Sequence, residues 1–135
     1  MSIQLSVRVR NARLDVIESD MGAAPILELR SGAQPANCAA AASGTLLAQA
    51  AMPSDWMAAA SGGAKAKAGT WTLTGITSGT IGHFRLYRSG SPSECDMQGS
   101  VTATGGEGDM TVDNTSIAQD QTVTVNTFTL TDANS

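Results

Sequence analysis

The chain is poor in the residues on which most activities draw. Aromatic residues make up 4% and charged residues 15% of its 135 positions, with one histidine and two cysteines. That histidine, His83, has no nucleophile placed beside it by the sequence, and a nucleophile, base and orienting group must converge for covalent catalysis. Cys38 and Cys95 lie far apart, in no C-x-x-C pair and no His/Cys cluster, so no metal site is expected. In a reducing cytoplasm they would be independent thiols, and in an exported protein they could pair. Eight scattered basic residues against twelve acidic ones leave a formal charge of −4. That balance argues against nucleic-acid or anionic-membrane binding, since either needs clustered Lys and Arg. No apolar run reaches the roughly 18 residues of a spanning helix, and "MSIQLSVRVR" lacks a signal-peptide layout. A soluble, unprocessed protein is expected.

What is present is alternation. The stretch "TIGHFRLYRSGSPSECDMQGSV" reads as a central hairpin, with Phe84 and Leu86 on one face and His83, Arg85 and Tyr87 on the other. Its return strand sets Met97, Gly99 and Val101 against Gln98, Ser100 and Thr102, and Ser89-Gly90-Ser91-Pro92-Ser93 supplies the turn.

Along the chain, Ile3, Leu5, Val7 and Val9 alternate with polar residues as a first strand would. Asn11 then caps a short helix carrying Leu14, Ile17 and Met21, stopped by Gly22, with Asp15, Glu18 and Asp20 as its solvated face. "ILELR" turns Leu27 and Leu29 inward, "AQPANCAAAASG" reads as a covering loop, and Thr45 to Met52 is a strand closed by Pro53. Ser54-Asp55 would cap one helical turn around Trp56 and Met57, before a flexible small-residue stretch in which Lys65 and Lys67 are lone surface charges. "TWTLTG" places Trp71, Leu73 and Gly75 on one side; Trp71 reads as a core anchor or as a sugar-stacking platform. Glycines 105, 106 and 108 break one strand, and Met110 and Val112 begin the next. The last strand, Gln121 to Thr131, buries Val123 and Val125 and then changes parity to Phe128 and Leu130, which implies a bulge near Asn126 or burial of both faces. The expected fold is all-β, a β-sandwich or jelly roll of roughly eight strands with one short N-terminal helix. Residues 1–135 form a single domain on this reading, with residues 1–5 as a candidate N-terminal arm.

Few groups suggest chemistry. Asp109 and Asp113 are the nearest approach to a carboxylate pair, and Glu107 and Asn114 add oxygen atoms to a Gly105–Asn114 segment in which an ion site is conceivable. The spacing matches no calcium loop, and "TGGEG" lacks the Lys-Ser/Thr of a phosphate loop. No catalytic residue, cofactor or metal ligand is assigned.

In order, "VRVRNARLDVIESDMG", "LELRSG", "SGTLLAQAAM", "GHFRLYRSGS", "DMQGSV" and "GGEGDMTVDNTSIAQDQTVTVNTFTLT" resemble small virion proteins encoded among the head genes of tailed bacteriophages. The resemblance runs from Val7 to Thr131 and implies a capsid decoration, or cement, protein, not an enzyme. It implies the major capsid protein as partner, a homo-oligomer (dimer or trimer), no nucleic acid, no membrane, and a place on the virion surface after synthesis in the bacterial host cytoplasm. Candidate contact segments are Met1 to Leu5 and Trp56 to Thr70, which could equally cap the protein's own sheet. The alternative is a tail, neck or fibre module binding host carbohydrate through Trp56, Trp71 and Tyr87. A small hydrolase using Asp109 or His83 is the third reading.

Overall fold

In the computed structural model, residues 3–90 and 94–132 are described. Among them are one helix, α1 (Val7–Met21), and nine strands: β1 (Ile26–Ser31), β2 (Leu46–Ala51), β3 (Ala64–Ala66), β4 (Trp71–Gly75), β5 (Gly79–Tyr87), β6 (Cys95–Ala103), β7 (Met110–Val112), β8 (Ser116–Ile117) and β9 (Thr122–Thr131). The expected hairpin is β5 and β6; its turn residues Ser91, Pro92 and Ser93 lie outside the described residues.

The architecture is all-β, but a sandwich or jelly roll it is not. Seven strands follow one another as β1-β2-β4-β9-β7-β6-β5, and β5 pairs again with β1, so the sheet closes into a barrel. A ring with an odd number of strands cannot alternate direction all the way round. One neighbouring pair must run parallel, and here it is β6 with β7; the other six pairs of the ring are antiparallel. Parallel neighbours ordinarily need a long crossover. This one takes only residues 104–109, because the strands overlap over just Val101↔Met110 to Ala103↔Val112. The "TGGEG" stretch is that crossover.

The register sends one face of every ring strand inward. Leu27 and Leu29 neighbour Leu86 and Phe84, Trp71 and Leu73 neighbour Val125 and Val123, and Met110 neighbours Phe128. These side chains form one hydrophobic cluster. Through it runs a chain of rings, from Trp56 to Trp71 at 6.1 Å, on to Phe128 at 5.5 Å, and to Phe84 at 5.5 Å. Such tilted and edge contacts suit the ring quadrupoles and add to the burial itself. The parity change in β9 is a bulge: Thr111 pairs with Thr127 and Val112 with Val125, so Asn126 is passed over.

Several local expectations fail. The stretch Ile3 to Arg10 is not a strand, for α1 already begins at Val7. Its N-cap is Ser6, whose hydroxyl accepts from Val9 N, and not Asn11, whose Oδ1 accepts from Gly63 N at 2.9 Å. Since the ring is closed, it offers no edge on which this alternating segment could pair; a helix satisfies its backbone internally instead. Gly22 does end α1, at φ 87°, its N–H bonding Glu18 O. The helical turn expected at Ser54-Asp55 is absent as well. Trp56 and Met57 are extended: Met57 bridges to Lys67, and Ala68 N donates to Trp56 O.

The segment after Met57 is not a flexible tether, because β3 pairs with β9 from Ala64↔Thr131 to Ala66↔Thr129. Nor is Lys65 a surface charge. Its side chain is 1% exposed, and its ammonium meets Asp15 at 2.7 Å, Glu18 at 3.0 Å and the Ala58 carbonyl at 2.9 Å. Asp15 and Glu18 are therefore the helix's attachment and not merely its wetted face. No helix among the described residues is long and apolar enough to cross a membrane.

Candidate functional site

The outer face of a closed barrel is normally wet, yet on β5 it is buried. His83, Arg85 and Tyr87 point outward, opposite Phe84 and Leu86, and are 0%, 2% and 6% exposed. Their cover is the loop between β1 and β2, a strap that crosses β5 and β6. It carries no strand or helix of its own and is held by hydrogen bonds to its backbone carbonyls.

His83 Nδ1 lies 2.8 Å from Gly32 O. A carbonyl can only accept, so Nδ1 carries a proton towards Gly32 O, while Nε2 is buried without a hydrogen-bond partner among the described residues. Next along β5, the Arg85 guanidinium makes four hydrogen bonds: Nε donates to Tyr87 Oη at 3.0 Å, Nη1 to Gln98 Oε1 at 2.7 Å, and Nη2 to the carbonyls of Cys38 and Ala40 at 3.0 and 3.1 Å. All four contacts are neutral oxygens. Gln98 Nε2 in turn donates to Pro35 O at 2.7 Å. Arg30 adds Ser43 O while pairing with Glu28 at 2.9 Å. Gly82 permits the close approach, since a Cβ there would lie 2.3 Å from Gly32 O.

Between strap and barrel remains a cavity of about 620 Å³, lined by Cys38 to Ala42, Arg85, Tyr87, Glu94 and Cys95. Two cysteines far apart in sequence thus share one cleft, both half-buried and both free thiols. Cys95 Sγ donates to Met97 O at 3.3 Å. Burial pushes the Cys95 thiol up to about 11; the Arg85 charge opposes that shift and Cys38 adds to it. At neutral pH Cys95 is a protonated thiol.

The remaining candidates are drawn apart. Asp109 Oδ2 accepts from Ser100 N at 2.9 Å and from Ser100 Oγ, whereas Asp113 Oδ1 accepts from Thr124 N at 3.1 Å. Asn114 Oδ1 accepts from Ser116 N, and Glu107 is exposed. Each of the two aspartates pins a neighbouring strand, Asp109 on β6 and Asp113 on β9. Among the described residues no three His, Cys, Asp or Glu side chains gather in a metal-binding group. The expected stacking platforms are inside the molecule: Trp56 and Trp71 are 0% exposed, and their indole N–H groups donate to Gly22 O and Ala68 O. Trp71 is a core anchor.

Exposed apolar surface is concentrated elsewhere. Of the large hydrophobic side chains exposed among the described residues, Ile3, Val7 and Val16 belong to the N-terminal segment and α1, and Ile76 follows β4. The sequence points to Met1 to Leu5 as a contact segment and to a polar outer face on α1; the spacing of Leu14, Ile17 and Met21 carries no signal for Val16.

Fold and site together define a small, odd-stranded closed β-barrel with a strapped outer face. Comparison of the chain with protein-family models, curated proteins and solved structures found no match.

Proposed function

We propose that this protein is a structural virion protein that binds the outer surface of a tailed-phage capsid and braces it, as the sequence resemblance implies. The observation that supports docking is that three of the exposed large hydrophobic side chains among the described residues, Ile3, Val7 and Val16, exposed by 81%, 45% and 59%, belong to the N-terminal segment and α1. A rigid barrel offering a few apolar anchors meets what a cement protein needs, because each subunit contributes modestly and symmetry multiplies the effect. The major capsid protein is the partner in this reading.

As a dimer or trimer, the protein would associate through side chains of α1 and not by strand addition. Among the described residues each of the seven ring strands has a strand partner on both sides over at least part of its length, which leaves little edge for strand addition.

Immunogold electron microscopy of intact virions, with antibody to the purified protein, tests the reading. Label over the head is the expected result. Gold confined to neck, tail or fibre tips would replace decoration with the tail-module reading, and unlabelled virions with a validated antibody would remove the virion role.

A further inference from the structure

We propose that Cys38 and Cys95 are a dithiol switch: in oxidising surroundings they close into an intramolecular disulfide that staples the strap to β6. Three observations converge on this pair. Both cysteines line the same cleft, one contributed by the strap and one by the first residue of β6. Both are half-buried, so each keeps some exposure to solvent. The strap is positioned at that very residue, because the Cys38 carbonyl is one of the two that Arg85 Nη2 grips, at 3.0 Å. The contribution of Cys38 to the raised Cys95 thiol agrees with the two sulfurs facing one another.

The reaction is thiol–disulfide exchange, with a small-molecule disulfide such as oxidised glutathione as the oxidant. Either sulfur can lead, with the same products; here the first nucleophile is Cys38. Its thiolate, the proton having gone to solvent, bonds one glutathione sulfur and expels the other glutathione as a thiolate that takes up a proton. Cys95 then loses its proton to solvent, attacks the Cys38 sulfur of the mixed disulfide and releases the second glutathione. One protein S–S bond forms, two thiols are oxidised, and one oxidised glutathione becomes two reduced ones. Arg85 beside the cleft favours the thiolate of Cys95 in the second step.

Closing this bond ties the strap to β6 covalently and restricts the unfolded chain through the whole stretch from residue 38 to 95. A protein assembled in a reducing cytoplasm and then released would acquire the lock only after assembly; this use, unlike the chemistry, rests on the virion reading.

The test uses the purified full chain, folded, with oxidised glutathione, so a negative result leaves the virion location to be judged by immunogold alone. Mass spectrometry of the unreduced protein should show loss of two hydrogens and a cross-linked peptide pair containing Cys38 and Cys95. The melting temperature should rise by about 10 °C relative to the reduced protein. Cys38→Ser and Cys95→Ser should instead stop at a single glutathione adduct with no such rise. Two persisting thiols, glutathione retained on both cysteines, or a disulfide linking two chains would overturn the proposal, as would an internal disulfide that leaves the melting temperature unchanged.

Discussion

Lys65 on β3 places its ammonium 2.7 Å from Asp15 Oδ1 on α1, across fifty residues of sequence. With Glu18 completing the contact, this is the electrostatic attachment of the helix to the barrel. The ammonium is buried on the barrel side, while Asp15 is half open to water.

Replacing Lys65 takes the ammonium out of that attachment and leaves Asp15 and Glu18 with backbone donors, Ala60 N and Met57 N. Lys65→Met keeps the stem and loses the charge. It should lower stability by about 1–3 kcal/mol, less than a fully buried pair because Asp15 is solvated. Urea unfolding of variant and parent checks this. An unchanged midpoint would show that the buried Leu14 and Met21, with the backbone hydrogen bonds to Asn11, Asp15 and Glu18, hold α1 without the ammonium.

The same pair sets a pH window. Burial alone would lower the Lys65 pKa, but the hydrogen bonds to Asp15 and Glu18 outweigh it and raise the group above 10.5. Its contribution is therefore complete below the unfolded value and is lost as pH rises through the folded one. Asp15 is lowered below 3.8, first by the Lys65 hydrogen bond and then by that of Ala60 N. Its contribution is present above 3.8 and lost as pH falls through the lowered value. Melting temperature should hold a plateau between and fall on either side, and Lys65→Met should flatten both flanks.

Arg85→Met should free the strap without opening the ring. Four hydrogen bonds vanish, two of them to strap carbonyls, and Tyr87 Oη and Gln98 Oε1 lose their donor. A cost of about 2–4 kcal/mol is expected. Hydrogen exchange should quicken at residues 33–42 far more than in β4 and β9. Uniform acceleration would mean that the strap and the barrel unfold as one unit.

Gly82→Ala tests the strap from the other side. Its new Cβ collides with the Gly32 carbonyl, a backbone atom that cannot rotate away. Stability should fall by about 1–3 kcal/mol. The accompanying loss of the Gly32 bond should show as a shift of the His83 ring signals in NMR.

Val16→Asp bears on function. The residue is exposed and its loss should leave the melting temperature within about 1 °C. Sedimentation with capsids lacking the protein should show binding weakened at least tenfold. Undiminished binding would move the docking surface away from α1.

Local pattern made several elements legible. Period-two alternation marked Leu27 and Leu29, Trp71 and Leu73, and the two faces of β5, because a strand's side chains alternate whatever the strand pairs with. The bulge at Asn126 showed as a change of parity, and Gly22 as a helix stop. Ile3 to Arg10 misled, since Val-rich alternation reads the same whether or not an edge is free to receive it. Lys65 misled also: a charge between alanines carries no mark of carboxylates fifty positions earlier.

The order of residues alone thus set an all-β chain with one short helix and an apolar inner face, for these follow from contacts between near neighbours in sequence. Closure was decided only by tertiary structure. Whether β1 meets β5 again is a pairing between distant segments, and an odd ring then forces β6 and β7 parallel. The burial of His83 and Arg85 and the meeting of Cys38 with Cys95 followed from it, since the strap has an outer face to cover only once the barrel has closed.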